Sequence, residues 1–155
     1  MSLFVRNIFF TILQPGMVAG VIPYWMLKMR KAWSWPVFPG WPYAGLVLFI
    51  PGIMVLLLCI TDFARHGKGT LSPADPTRQL VEKGLYRYSR NPMYVGVVLI
   101  LAGEAIFFHA AVLASYTVFI FLLFHGFILW FEEPRLRRDF GDAYVAYQTR
   151  VNRWI

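Results

Sequence analysis

The sequence alternates long apolar stretches with short polar segments. Apolar residues run from about Ile8 to Leu27, from about Tyr43 to Ile60, from Met93 to Phe108 and from Ala111 to about Trp130. A helix needs roughly 20 mostly apolar residues to cross a bilayer. Because only two residues separate the last two stretches, they favour an antiparallel hairpin. The pattern therefore predicts an all-α, polytopic membrane bundle with about four transmembrane helices.

Proline and glycine interrupt the first two apolar stretches. Pro15-Gly16 and Pro51-Gly52 each fall in the middle of a predicted helix, where a missing backbone hydrogen bond should produce a kink. Gly16 and Gly20 also have the spacing that lets a second helix approach closely in a membrane. We therefore expect kinked helices and a close helix contact near the N-terminus.

The segment from Thr61 to Asn91 is polar and basic, and its prolines and glycines predict turns instead of a long helix. Asn91-Pro92 is typical of a helix start, because asparagine can cap free backbone N–H groups and proline is tolerated in the first turn. Beyond Pro134, apolar residues recur at helical spacing among charged ones: Leu136, Phe140, Tyr144 and Tyr147. This pattern predicts a C-terminal amphipathic helix at the membrane interface.

Composition also points to a membrane protein. Hydrophobic residues make up 58% of the chain and charged residues 15%, which leaves too little polar surface for a water-soluble domain. The net charge of +7 indicates contact with anionic membrane lipids and does not favour nucleic acid as a partner. Lys and Arg concentrate in residues 61–91 and in the C-terminal tail. We therefore expect an integral protein of an inner or cytoplasmic membrane, with both termini cytoplasmic.

Several kinds of active site leave no signal in the sequence. Gly67-Lys68-Gly69 lacks the third glycine and the strand–turn–helix context of a dinucleotide site. His66, His109 and His125 are far apart, and Cys59 is the only cysteine, so no metal site is indicated. The sequence also lacks the glycine-flanked serine of a hydrolase nucleophile elbow.

One group of polar residues surrounds the predicted start of the third helix and the end of the fourth: Arg78, Tyr86, Arg87, Tyr88, Arg90, Asn91, Tyr94, Glu132 and Glu133. A helix hairpin brings these two ends together. Carboxylates suit a cationic group and the donors suit an anionic one, so the site would fit a zwitterion. The same residues also fit a structural interpretation, in which the glutamates pair with arginines and the tyrosines lie at the interface.

Four short motifs follow one another in this region: Leu80-Val81-Glu82-Lys83-Gly84-Leu85-Tyr86, Arg90-Asn91-Pro92-Met93-Tyr94-Val95-Gly96, Glu132-Glu133-Pro134-x-Leu136 and Phe140-Gly141-x-x-Tyr144-x-x-Tyr147. Together they resemble the isoprenylcysteine carboxyl methyltransferase family, which broadly includes membrane phospholipid methyltransferases. The resemblance covers about residues 71–154 and rests on the ordered set, since each motif alone is weak.

The resemblance implies an S-adenosylmethionine site formed by the connecting segment and the last helix hairpin. It also implies a lipophilic acceptor, such as a lipid or a prenylated molecule, that arrives through the bilayer. Residues 1–60 would contribute two N-terminal helices, and residues 61–155 would form the cofactor-binding region of a single integral domain.

The resemblance implies cofactor contacts for a defined set of residues: Arg78, Leu80, Val81, Tyr86, Asn91, Tyr94 and Glu132. The first four would lie against or near the adenosine portion. Asn91 and Tyr94 would meet the amino-acid end of the cofactor, and Glu132 would meet its ammonium group. Asn91 replaces the family's histidine and also fits a simple helix cap. Glu132 and Glu133 diverge by about 100° on a helix, so one would face the site and the other an arginine.

The acceptor is less well defined by the sequence. Prenylcysteine methyltransferases place an arginine one turn before the cofactor glutamate, and Ile128 at this position disfavours a carboxylate acceptor. An amine or thiol must lose a proton, and His125 is the nearest candidate base, although a histidine bonded to a backbone carbonyl is an equally good interpretation. Glu133 is the second candidate catalytic residue. Glu104 is an intramembrane carboxylate that is either functional or paired with another helix.

The predicted function is methylation of a lipophilic acceptor by a membrane enzyme similar to isoprenylcysteine carboxyl methyltransferases. Phospholipid N-methylation and thiol methylation are alternatives. A sterol-reductase-like enzyme would need a nicotinamide site, for which the segment between Arg78 and Tyr94 offers little room. A non-catalytic transporter or interaction subunit would make Glu104 and the kinked helices the functional features.

Overall fold

The computed structural model describes residues 14–29, 40, 42–66, 80 and 82–155. The regular elements of these residues are six α-helices: α1 (Ile22–Met29), α2 (Ala44–His66), α3 (Pro92–Phe107), α4 (Ala111–Phe127), α5 (Glu133–Phe140) and α6 (Asp142–Arg150). A π-helical turn precedes α1 (Met17–Val21), a second joins α4 to α5 (Ile128–Glu132), and a 3-10 turn lies before α3 (Gly84–Arg87). The predicted all-α fold is confirmed for this part of the chain.

The helices α3 and α4 follow the predicted hairpin. Pro92 opens α3, where the missing N–H of proline costs no helical hydrogen bond. The turn after Phe107 is closed by His109, which adopts a positive φ of 49°, and α4 begins at Ala111. Both helices start within one residue of their predicted positions. Their facing apolar residues bury one another in the core of the protein: Val97, Ile100, Leu101 and Ile120.

Two of the described helices are long and apolar enough to cross a membrane, Ala44–Asp62 and the continuous helix Ala111–Phe140. The apolar helix α3 has 16 residues, which is short of the roughly 20 that a bilayer requires. The first predicted apolar stretch lies partly outside the described residues. The structure therefore supports two spanning helices, and the count of four stays a prediction.

Many apolar side chains of α2 and α4 are exposed on the outside of the described structure. Val47 on α2 is 71% exposed and Leu122 on α4 is 60% exposed. Large neighbours on the same two helices are exposed as well: Ile50, Met54, Leu57, Leu58, Val118, Phe119 and Leu123. Apolar surface on this scale marks contact with a membrane or another protein, and the bilayer proposed from the composition provides such a contact.

Four glycines let α2 and α3 pack backbone against backbone. Gly45 faces Gly103, and Gly52 faces Gly96, so the pairs match an antiparallel arrangement. A Cβ atom on Gly103 would lie 2.7 Å from the carbonyl oxygen of Gly45, and one on Gly52 would lie 2.8 Å from the backbone nitrogen of Ile100. Small residues are typical of close helix contacts in membranes. We call this four-glycine contact the glycine seam.

The close contact predicted at Gly16 and Gly20 is wrong for the described residues, because a Cβ atom on either would meet nothing within 4 Å. The N-terminal helix instead contacts the hairpin through larger side chains. Leu27 is buried against the turn between α3 and α4. The Tyr116 hydroxyl donates a hydrogen bond of 3.1 Å to the Val18 carbonyl, in the π-helical turn where α-helical bonding is disturbed.

The predicted C-terminal amphipathic helix is two helices in the structure. Gly141 adopts φ +52°, a value that glycine tolerates without the steric cost of a Cβ atom, and α5 ends there while α6 begins. The break turns Tyr144 and Tyr147 inward, where both are buried. The prediction of one continuous helix was wrong, because helical spacing of apolar residues does not reveal a change of axis.

Candidate active site

The most direct link between the two ends of the hairpin joins Tyr94 to Glu132. The Tyr94 hydroxyl donates a hydrogen bond of 2.9 Å to Oε2 of Glu132. Tyr94 lies in the first turn of α3, where its ring packs against Phe124 of α4 with centroids 4.7 Å apart. Of the two Glu132 carboxylate oxygens, Oε1 has no hydrogen-bond partner among the described residues. This oxygen is therefore available to a cationic group.

The second glutamate of the pair faces away from Tyr94. Oε1 of Glu133 accepts hydrogen bonds from Arg90 at 3.0 Å and from Arg153 at 2.7 Å, and Oε2 accepts a second bond from Arg153 at 3.0 Å. Glu133 is buried, and both oxygens are engaged. The divergence of neighbouring helical residues explains why one glutamate meets a tyrosine and the other meets arginines.

These contacts bear on the catalytic role expected of Glu133. Because both carboxylate oxygens of Glu133 already accept hydrogen bonds from guanidinium groups, neither is open to a substrate. The hydrogen bonds from Arg153 to Glu133 also raise the pKa of this arginine above its usual value. The contacts therefore favour a structural role, and the catalytic role stays a prediction that the geometry disfavours.

Asn91 does not cap α3 with its side chain, so that part of the prediction was wrong. Its side-chain amide donates instead to the backbone carbonyl of Arg153 at 3.1 Å, and its backbone N–H donates to Oγ of Ser89 at 3.1 Å. Pro92 follows directly and has no N–H to be capped. Asn91 thus joins the start of α3 to the C-terminal tail.

Tyr86 lies in the 3-10 turn and is buried beside Cys59 of α2. Its backbone carbonyl accepts a hydrogen bond of 2.6 Å from the Tyr147 hydroxyl. Burial raises the pKa of Tyr86 well above its ordinary value, and the charges of neighbouring groups that include Glu132 raise it further. Tyr86 therefore stays a neutral phenol close to the Tyr94–Glu132 pair.

Gly84 opens the 3-10 turn that carries Tyr86. It adopts φ +62°, and a Cβ atom at this position would collide with the Asp62 carboxylate at the end of α2. Glycine is therefore required by both the backbone conformation and the space. The turn and the end of α2 together form one side of the region around Tyr86.

His125 contacts the C-terminal tail. Its Nδ1 atom accepts a hydrogen bond of 3.3 Å from the indole N–H of Trp154, and the two rings stack with centroids 5.9 Å apart. Phe121 packs on the same indole. A neutral imidazole has one acceptor nitrogen, and the indole occupies it. The role of His125 as a base stays a prediction, and this contact argues against it.

The structure brings Tyr86, Tyr94 and Glu132 together, and Asn91 and Glu133 lie in the adjoining network. Leu80 is half-buried, while Arg78 and Val81 lie outside the described residues. Glu104 lies near the opposite end of α3, where its Oε2 atom is buried and has no hydrogen-bond partner among the described residues. It does not belong to the same group.

Sequence reasoning missed Ser89 and Arg153. Arg153 belongs to a tail with several arginines, and nothing in its spacing distinguishes it from those that face solvent. The Ser89 hydroxyl donates to the Arg153 carbonyl at 3.3 Å, a contact across 64 positions of the chain. A pair so distant in sequence leaves no local signal.

The arrangement suits recognition of a small polar ligand at the edge of an apolar bundle. Glu132 supplies a carboxylate oxygen that has no hydrogen-bond partner among the described residues, and the hydrogen bond from Tyr94 fixes the other oxygen. In the part of the chain that the structure describes, no group of three or more His, Cys, Asp or Glu residues could hold a metal ion. The hydrogen-bonded pair of Tyr94 and Glu132 suits chemistry by binding and alignment.

Comparisons with known proteins point to one family. The family model for phospholipid methyltransferases matches residues 41–143. This range includes α2, the 3-10 turn, the hairpin and the Tyr94–Glu132 pair. No curated protein and no solved structure matches the chain. Since the family model covers more than half of the chain, this protein belongs to the phospholipid methyltransferase family.

Proposed function

We propose that this protein transfers the methyl group of S-adenosylmethionine to an amine on a lipophilic acceptor, with phospholipid headgroup amines as the preferred class. The observation that carries the proposal is the Tyr94–Glu132 pair, held where α3 begins and α4 ends in a member of a phospholipid methyltransferase family. The arginine-rich segments near this end of the hairpin support a cytoplasmic position for the site.

The polar groups of the site fit the amino-acid end of S-adenosylmethionine. This end carries an ammonium group near a sulfonium, so two positive charges lie close together. Oε1 of Glu132 is free among the described residues, and a carboxylate is the natural partner of an ammonium group. Tyr94 holds the other oxygen in place, which reduces the freedom that binding would otherwise have to remove.

When bound, S-adenosylmethionine supplies an electrophilic methyl group. The residues of this chain would bind and orient the reactants and exclude water, because direct methyl transfer requires no covalent intermediate with the protein. A headgroup amine is protonated near neutral pH, so it would first give up one proton to water at the membrane interface. The nitrogen–carbon bond would then form as the carbon–sulfur bond breaks, with S-adenosylhomocysteine as the leaving product. Glu132 and Tyr94 would orient the donor. The apolar side chains of α3 and α4 would exclude water and present the acceptor from the bilayer side.

The environment of Ile128 supports an amine acceptor over a carboxylate. Ile128 is fully buried, with 0% exposure, at the position where a carboxylate-orienting arginine would be expected. No cation at this position can hold an acceptor carboxylate. A phospholipid amine needs no such cation, and the family match favours the same acceptor class.

Calorimetry on the detergent-purified protein tests the donor. S-adenosylmethionine and S-adenosylhomocysteine should each bind with one site per chain, and reduced nicotinamide cofactors should not bind. Binding of nicotinamide cofactors alone would overturn the proposal in favour of a reductase, and binding of neither class would favour a transporter or interaction subunit.

A charge-removing variant with a matched control tests the residue assigned to the ammonium group. Glu132→Gln should weaken binding of S-adenosylmethionine by about 100-fold, because it removes one charge of a partly desolvated pair. Glu82→Gln removes a carboxylate whose partner, Arg150, is 63% exposed, and it should leave the affinity unchanged. Equal affinities for the two variants would remove Glu132 from the site.

Radiolabelled methyl transfer tests the acceptor class. Vesicles that contain phosphatidylethanolamine should accept label, whereas a farnesylcysteine analogue and small thiols should accept little. Robust turnover of farnesylcysteine would contradict the inference from Ile128 without affecting the assignment of the donor.

A further inference from the structure

The last five residues, 151–155, leave α6 and run between the start of α3 and the end of α4. We call this segment the C-terminal strap. The backbone N–H of Arg90 donates to the Asn152 carbonyl at 2.9 Å, and Ser89 and Asn152 form an isolated parallel β-bridge. The Arg153 carbonyl accepts hydrogen bonds from Ser89 and Asn91. The backbone of the strap is thus attached to the residues that precede α3.

The side chains of the strap attach to the other side of the site. The guanidinium group of Arg153 makes a bidentate contact with Glu133, at 2.7 Å and 3.0 Å. Trp154 donates to His125 one residue further along, and its ring stacks on the same histidine. Arg153 therefore binds the start of α3 through its backbone and the start of α5 through its side chain.

This double attachment spans the two residues assigned to the cofactor. Tyr94 follows Asn91 within one helical turn, and Glu132 directly precedes Glu133. The π-helical turn that ends at Glu132 has a wider, less regular hydrogen-bond pattern than an α-helix. The orientation of Glu132 thus depends on what holds the residue after it.

We propose that Arg153 is a positioning residue, which clamps Glu133 and thereby sets the orientation of Glu132 for the ammonium group of S-adenosylmethionine. The inference rests on the proposed function. The family match ends at residue 143, so it does not include the strap. In this arrangement Glu133 binds the strap through its ion pair with Arg153, and His125 binds it through its hydrogen bond and ring contact with Trp154.

Calorimetry of three variants tests the clamp. Arg153→Gln loses the bidentate ion pair and should raise the Kd for S-adenosylmethionine about tenfold, because a small misplacement of a binding group has a large effect. Arg153→Lys keeps the charge and should give an intermediate Kd. Arg150→Gln removes a nearby exposed arginine that binds Glu82 and should match the wild type.

The binding stoichiometry separates positioning from a folding role. A positioning residue changes Kd and leaves the number of sites per chain unchanged, whereas a merely structural residue lowers the number of sites and leaves Kd unchanged. If Arg153→Gln does not yield folded protein, the Kd and stoichiometry of Arg153→Lys distinguish positioning from a structural role by the same criterion. Glu133→Gln combined with Arg153→Gln should bind no more weakly than Glu133→Gln alone, since Glu133→Gln already removes the ion pair with Arg153 along with that of Arg90.

Hydrogen exchange on the ligand-free protein supplies a readout that is independent of the cofactor. Arg153→Gln should speed amide exchange in residues 91–95 and in residues 132–136, because the ion pair between Arg153 and Glu133 links these two segments through the strap. A Kd equal to that of the wild type, or a lowered stoichiometry alone, would overturn the positioning role. Failure of the wild type to bind S-adenosylmethionine would overturn the proposed function, and the role of Arg153 with it.

Discussion

The helix α3 makes two contacts of opposite character. Along the glycine seam it meets α2 through backbone atoms, with no polar side chain involved. At its first turn and the two residues before it, hydrogen bonds and an ion pair join it to the π-helical turn, to α5 and to the C-terminal strap. The seam depends on shape, and the polar end depends on a few specific groups.

This difference is consistent with the proposed location of the cofactor site. At the seam, a Cβ atom on Gly45, Gly52 or Gly103 would lie less than 3.0 Å from backbone atoms of the facing helix, and one on Gly96 would lie 3.1 Å from the Gly52 carbonyl oxygen. At the polar end, Glu132 keeps one oxygen unpartnered among the described residues. A region that satisfies all its own contacts stabilises the fold, whereas one with an available charge can bind a ligand.

The largest effect should come from filling the seam. Gly103→Leu should destabilise the protein by about 3 kcal/mol or more, because the new side chain would collide with the backbones of Gly45 and Phe49. The helices must then separate and lose their dispersion contacts. Heating followed by size-exclusion chromatography would measure the loss as a lower midpoint temperature.

Gly20→Ala is the control, since it meets open space, and it should leave the midpoint nearly unchanged. Equal midpoints for the two variants would contradict a close α2–α3 contact.

A smaller effect, on binding alone, should follow from Tyr94→Phe. The variant loses a hydrogen bond to a charged group, worth about 1.5 kcal/mol, so the Kd for S-adenosylmethionine should rise about tenfold. The ring still packs on Phe124, so the thermal midpoint should stay near that of the wild type. Unchanged affinity would show that the hydroxyl does not orient Glu132.

His125→Gln distinguishes an anchoring residue from a catalytic base. The hydrogen bond from Trp154 occupies Nδ1, so we expect turnover to fall by less than about threefold and the pH–rate profile to keep its shape. Loss of a general base would lower turnover by about 100-fold or more. A fall of that size, with a shifted profile, would restore His125 to the catalytic role that the sequence suggested.

The smallest effect should come from the exposed ion pair between Glu82 and Arg150, which are joined at 3.0 Å on the surface. Surface pairs contribute about 0–1 kcal/mol. Glu82→Gln should therefore change the thermal midpoint very little, in contrast to substitutions at the buried Glu133 pairs. A large change would mean that charge alone, without burial, holds the polar end together.

The helical hairpin and the helix ends near Pro92 and Ala111 were predictable because they follow from runs of apolar residues and from proline chemistry. The glycine seam was not predicted. Gly45, Gly52, Gly96 and Gly103 lie on two helices, and their pairing depends on register across the contact. The pair that was singled out, Gly16 and Gly20, has the right spacing, but no described residue of another helix lies within 4 Å of a Cβ atom placed on either glycine.

For the site, the sequence motifs identified Tyr94 and Glu132, and the structure places them in contact. The sequence also predicted that one of the two adjacent glutamates faces an arginine, and Glu133 does. It did not reveal that two arginines bind Glu133 or that Asn91 turns to the C-terminal strap. Both outcomes depend on partners that are 62 positions away for Asn91 and 43 and 20 positions away for Glu133. Contacts over such separations leave no spacing that a single sequence can display.

The sequence by itself determined that this protein is helical and apolar and that it carries ordered methyltransferase motifs, because hydrophobic run length and short motifs are local properties of the chain. Only the tertiary structure decided which face of each helix packs against another helix and which polar atoms have no hydrogen-bond partner among the described residues. Those choices arise when distant segments meet, as the C-terminal strap meets the starts of α3 and α5. Packing, more than composition, therefore separates Glu132, with an oxygen available to a ligand, from its neighbour Glu133, which holds the site together.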